Sequence, residues 1–318
     1  MIQPASLSEI SVIPVTDVLA WVVIGVFVVG ALFEYRGNRE LSRRVTVAAW
    51  GLFSLFWLLL IQHFVYVHRS VIQAVLTIIA VPACLYVGYH LLAGRDSLLV
   101  LSRAVAVMGI IYLPFEMSSF AAGILIETVA RQTTTAIELL GYGSGMELTE
   151  DPSGENAGLM SVFWFPETGR SSRIVLACTG IGSMAIFGGL IAAVKAPLRQ
   201  KLKAFGVAVG VIWILNIGRN VFIALANGHQ WFAGSMLEGP VMFAFGLSDP
   251  ARVSFFLADR VISQGLAIFA LVGIAWIVTR WVPEILDVAE DLLFLLTGDE
   301  ISLRQPAVAD GGERPDEP

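Results

Sequence analysis

Residues 174–194 read IVLACTGIGSMAIFGGLIAAV, a run without one charged side chain, entered directly from the polar stretch GRSSR at 169–173. A helix needs ~20 mostly apolar residues to cross the hydrocarbon core of a bilayer. The run therefore reads as a membrane span, and Cys178 stands near its mouth among the small residues Ala177, Thr179, Gly180 and Gly182. Comparable runs lie at 17–35, 45–66, 71–93, 98–116, 204–226 and 258–279. The chain thus holds about seven spans by this length criterion.

Composition agrees with that reading. The 318 residues are 56% hydrophobic and only 14% charged, against ~25% charged in soluble domains, and mean hydropathy is +0.76. Backbone exposed to lipid must satisfy its own hydrogen bonds, which leaves helices or closed barrels. Long unbroken apolar runs, without short alternating strands, exclude the barrel. The expected fold class is all-α, a polytopic helical membrane protein. Two cysteines make no disulfide framework, and Cys84 sits inside an apolar span. No positive n-region precedes the first apolar run, so no secretory signal is read. Lysine occurs only at Lys195, Lys201 and Lys203, and the net charge is −6. With the acidic stretch Glu147 to Glu155 and an acidic tail, this suggests a surface adapted to salt.

Positive charge in short loops sets orientation. RGNRELSRR (36–44), GRDS (94–97), KAPLRQKLK (195–203) and Arg280 fall on one side if the spans alternate, while Arg69, Arg131, Arg170, Arg173 and Arg252 fall on the other. The first side is expected to be cytoplasmic, with the N-terminus outside and the C-terminus inside. Four parts follow: spans one to four (1–116), an outer loop with an amphipathic helix at 118–140 (117–173), spans five to seven (174–282), and a cytoplasmic amphipathic helix at 283–296 with a disordered acidic tail (283–318). The aromatic run LMSVFWFPE (159–167) fits either an interfacial segment or a short strand.

Ionisable side chains within spans are costly and mark functional candidates. His63 and His90 lie near span ends, and Arg103 is close enough to the cytoplasmic boundary to snorkel; structural roles account for all three. Arg219, in WILNIGRNVFIALA, is deeper, and Asn216 shares its helix face. It either lines a polar pocket or pairs structurally with carbonyls or Glu116. Arg260 opens the last span, and alternation brings it to the same outer level as Cys178 and Arg219. Cysteine is nucleophilic as the thiolate, a form that adjacent positive charge favours, and arginine stabilises anions without acting as a base. A thiol and two guanidiniums at one level can therefore run acyl transfer through a thioester, with Thr179, Gly180 and Gly182 allowing a substrate backbone to approach.

The motifs ACTGIGS (177–183), NIGRNVF (216–222) and ADRVIS (258–263) resemble the archaeosortase branch of the exosortase/archaeosortase membrane transpeptidases. The resemblance implies a catalytic set of Cys178, Arg219 and Arg260, with Arg252 the second choice for the third position; His229 lies in a loop at the wrong place to fill that role. It further implies clients that are secreted proteins bearing a C-terminal sorting signal: a Pro-Gly-Phe motif, a transmembrane helix and a basic cluster. The S-layer glycoprotein is the expected major client, and the expected acceptor is a membrane lipid, an ether phospholipid with an amine headgroup. No cofactor is implied.

Other classes are weighed on the same residues. A transporter would use Arg219 and Asn216 as a buried polar site, though no half-to-half symmetry is visible. A retinal protein would need a lysine in the last span, and an intramembrane serine protease built on Ser183 would need a histidine in a later one; both are absent. Four scattered histidines give no metal-ligand spacing, and no phosphate loop or nucleic-acid patch occurs.

Overall fold

The structure is a computed structural model that describes residues 7–62, 71–152 and 156–303, with side chains described from Val15 in the first segment and from Ala74 in the second. His63, Arg69 and the tail beyond residue 303 lie outside the described residues. Helices dominate: α1 (Leu7–Tyr35), α2 (Arg39–Gln62), α3 (Val71–Leu92), α4 (Leu99–Met117) and α5 (Ser119–Leu139) precede a small sheet. After the sheet come α6 (Ile181–Ala193), α7 (Leu198–Gly228), α8 (Glu238–Phe245), α9 (Val253–Phe256), α10 (Gln264–Thr279) and α11 (Ile285–Thr297).

Six helical segments among the described residues are long and apolar enough to cross a membrane, and a shorter apolar helix, Ile181–Ala193, stands where a seventh was expected. The difference falls on the opening stretch. Leu176–Thr179 forms a single 3-10 turn, and Gly180 adopts a left-handed conformation, φ +82°, that ends the turn before α6 begins. What remains is 13 residues, about 20 Å of helix, shorter than the ~30 Å hydrocarbon core. Helices form in the other expected spans among the described residues: α1, α2 and α7 begin six to ten residues early, and the helical stretch of the last span begins at Pro250.

The second correction is to the all-α class. Strands β1 (Glu147–Glu150), β2 (Met160–Phe165) and β3 (Arg170–Arg173) make an antiparallel sheet in the order β1-β2-β3. This resolves the aromatic run as a strand: Val162, Phe163 and Phe165 are buried while Trp164 faces out. The amphipathic α5 lays Ile126, Val129, Ala130 and Ile137 against that sheet and against Val221, Ala224 and Leu225 of α7. Trp213 of α7 donates its indole N–H to Gln132 of α5 at 2.7 Å.

Helices α4 and α6 pack closely. A Cβ on Gly189 would overlap the Ala104 carbonyl, and one on Gly188 would sit 2.8 Å from Ile111. The bundle has two distinct ends. At one, Arg43 pairs with Asp96 at 2.8 Å, Arg95 with Asp291 of α11 at 3.1 Å, and Arg103 with Glu34. Arg103 also donates to the Ala193 carbonyl. It is therefore held between α1 and α6, whereas depth alone suggested snorkelling. His90, at the same end, packs edge-on against Tyr86, Tyr89 and Phe294. The sheet, the 3-10 turn and the far end of α7 occupy the other end, where Phe165 fits so close to Gly228 that no Cβ could be accommodated.

Candidate active site

Helix α7 is 31 residues long, about 46 Å at 1.5 Å per residue, so it outreaches the hydrocarbon core by several turns. Asn216 lies 18 residues beyond Leu198, about 27 Å along the axis. At that level the 3-10 turn carrying Cys178 packs onto α7.

The turn is fixed from within and from outside. The Cys178 amide donates to the Val175 carbonyl at 2.8 Å. The buried Thr179 hydroxyl donates to the Leu176 carbonyl at 2.7 Å and accepts from the Ile181 amide at 3.4 Å. From α7, the amide groups of Asn216 and Asn220 both donate to the Cys178 carbonyl, at 2.6 and 2.9 Å. Residues four apart stand one above the other on a helix, so two asparagines at that spacing fill both lone pairs of a single oxygen. A Cβ on Gly180 would lie 3.3 Å from Cγ of Asn216, which shows how closely turn and helix approach. The cysteine backbone is thereby anchored while its half-buried side chain makes no disulfide.

Asn216 thus serves Cys178, not the guanidinium it was expected to flank. Asn220, which sequence reasoning did not single out, does the same work; the NxxxN spacing within NIGRN was the available signal.

Arg219 stands on α7 between the two asparagines. Its Nη2 pairs with Oδ1 of Asp259 at 2.6 Å, and not with Glu116, which accepts from Tyr112. Nε of Arg260 approaches the other oxygen, Oδ2, at 3.3 Å. Both expected arginines therefore meet on one buried carboxylate. Asp259 was also missed by sequence reasoning, although an acidic residue inside a span is itself a candidate; its signal was its place in ADRV, at the entrance of the last apolar run. Asp259 and Arg260 lie in a π-helical segment, Leu257–Ser263, inserted between α9 and α10. Arg252 is elsewhere, its guanidinium 5.2 Å from the Phe256 ring. His229 caps α7 between the rings of Tyr142 and Phe165, each 5.5 Å away. Among the described residues no cluster of His, Cys, Asp and Glu could hold a metal ion.

The Cys178 turn is anchored on α7 by Asn216 and Asn220, and the same helix carries Arg219, which Asp259 joins to Arg260. Comparison with known proteins gives the family. The chain matches the model of the transmembrane exosortase family (Exosortase_EpsH) over residues 16–248, an interval that includes Cys178 and Arg219 and stops short of Arg260. Archaeosortase A of Natronomonas pharaonis is 61% identical over 303 residues, spanning 95% of this chain and 96% of the relative. Archaeosortase A of Haloferax volcanii is 51% identical over 300 residues, spanning 91% of this chain and 96% of the relative. No solved structure matches. A multi-pass chain with these matches over most of its length belongs to the transmembrane exosortase family.

Proposed function

We propose that the chain is a membrane-embedded cysteine transpeptidase of archaeosortase type, with Cys178 as nucleophile and Arg219 and Arg260 as its anion-stabilising partners. The observation that carries this reading is the anchoring of the Cys178 carbonyl by Asn216 and Asn220 on the same turns of α7 that hold Arg219. Such an arrangement fixes a nucleophile's backbone and leaves its thiol to react. The names of the two relatives support the class of activity.

The bundle end rich in arginine and lysine, by the positive-inside rule, is the cytoplasmic one, and the Cys178 turn then faces the cell exterior. The N-terminus lies outside and the C-terminus inside. Clients are secreted proteins with a C-terminal sorting signal of Pro-Gly-Phe type, the S-layer glycoprotein first among them. The Cys178 thiolate attacks the scissile carbonyl carbon, and the tetrahedral oxyanion is held by guanidinium N–H groups. Collapse breaks the peptide C–N bond, and the C-terminal fragment departs as an amine that takes its proton from water at the outer face. A lipid headgroup amine then attacks the thioester, forming an amide to the client and releasing the thiol.

The test replaces Cys178 with Ala and with Ser and follows a client's mass and lipid label in membranes. Loss of processing in both variants supports the reading, and unchanged processing in Cys178→Ala overturns it. A transporter built on Arg219 and Asn216 would instead give solute flux that survives Cys178→Ala.

A further inference from the structure

We propose that Asp259 is a positioning residue for the transferase chemistry: its carboxylate yokes Arg219 and Arg260 so that their remaining N–H groups address one anion. The inference rests on the reading of the two arginines given above. It comes from the way the carboxylate is divided. Oδ1 takes Nη2 of Arg219 at 2.6 Å, and Oδ2 takes Nε of Arg260 at 3.3 Å. Arg219 donates a hydrogen bond to Asp259 through one nitrogen, and Arg260 faces it through one nitrogen in an ion pair. A guanidinium carries five N–H donors on three nitrogens, so Nε and Nη1 of Arg219 and both η nitrogens of Arg260 remain for a ligand. Among the described residues none of those nitrogens has a hydrogen bond or ion pair.

The local backbone explains how neighbours in sequence share one carboxylate. Consecutive residues of an α-helix point ~100° apart and do not face each other. Leu257–Ser263 is instead wound as a π-helix, whose wider turn changes that relation, and π-turns in helices recur at functional sites. Asp259 is buried, with its side chain 13% exposed, while Arg219 and Arg260 are 26% and 40% exposed. The carboxylate therefore sits behind the guanidiniums, and they form the accessible surface. With one oxygen hydrogen-bonded to Arg219 and the other facing Arg260 in an ion pair, Asp259 is badly placed to accept a proton from substrate. Its function is geometric and electrostatic: two like charges that would repel are held together with a net charge of one positive unit.

The test measures client turnover in proteoliposomes for Asp259→Asn, Asp259→Glu, Arg260→Ala and the double variant Asp259→Asn/Arg260→Ala, with detergent melting as the check on folding. Asp259→Asn keeps the shape and removes the charge. It is expected to lower kcat about 100-fold, the scale of a ~1 Å misplacement of catalytic groups, with client KM changed less than about 3-fold. Asp259→Glu is expected to recover at least about a third of the lost orders of magnitude. In the Arg260→Ala background the cost of Asp259→Asn should shrink at least about 3-fold, because one of its two charges is already gone. Unchanged kcat in Asp259→Asn, or full additivity with Arg260→Ala, would overturn the yoke. So would a loss of turnover that follows melting temperature across the series with no recovery in Asp259→Glu. Failure of Cys178→Ala to stop processing would instead remove the underlying function, so the two failures are distinguishable.

Discussion

Replacing Asn216 and Asn220 with alanine, singly and together, perturbs the Cys178 turn without touching the thiol or either arginine. The two amides reach the same carbonyl at 2.6 and 2.9 Å. A neutral hydrogen bond contributes about 1 kcal/mol net, so either single variant leaves one donor in place and should lower turnover about 5-fold. Independent sites would then give about 2 kcal/mol, roughly 30-fold, in the double variant. The double variant also leaves the carbonyl against α7 without a partner, which costs about 1–3 kcal/mol more. The expected loss is about 3–5 kcal/mol, and the productive turn is populated in a correspondingly smaller share of molecules. The assay is the initial rate of client processing in proteoliposomes, analysed as a double-mutant cycle, with melting in detergent recorded for each protein. A coupling energy of about 1 kcal/mol or more supports the shared-carbonyl arrangement. Additivity within about 0.5 kcal/mol, or singles with unaltered rates, would refute it.

Two further predictions concern backbone positions. Gly180→Ala places a side chain at φ +82° and within 3.3–3.4 Å of Asn216, so melting should fall by about 1–2 kcal/mol and turnover with it. Gly182→Ala, whose Cβ would meet nothing within 4 Å inside α6, should leave melting unchanged or raise it; equal effects at the two positions would contradict the left-handed turn. Gly189→Val drives a branched side chain against the Ala104 carbonyl and Met108, and should destabilise the α4–α6 pair by about 1–3 kcal/mol. Gly206→Ala on the open face of α7 is the matched control and should melt as the parent does.

The parts of this architecture legible in sequence are those governed by length and hydropathy. The apolar runs give the long helices, and the alternating basic connections converge at one end of the bundle, as the pairs Arg43–Asp96 and Arg95–Asp291 show. The opening stretch was misjudged because hydropathy is blind to backbone conformation. One left-handed glycine separates the Cys178 turn from α6 and makes a thirteen-residue helix from an apparent span. The strand at Met160–Phe165 was ambiguous because its burial departs from simple alternation.

Polar partners were harder still. Arg103 lies near a boundary, which suggests snorkelling, but its partner Glu34 is far away in sequence. Asp259 was overshadowed by Arg260 beside it, and only the packing of the π-turn on α7 brings its carboxylate to Arg219. Depth in a span identifies a residue that needs a partner; it does not name the partner.

The most direct measurement of the central claim is mass spectrometry of the enzyme quenched in acid during turnover of a client. The account predicts a client fragment joined to Cys178 through a thioester, released by hydroxylamine and absent in Cys178→Ala. Normal client processing with no adduct on Cys178, or an adduct located on another residue, would contradict it.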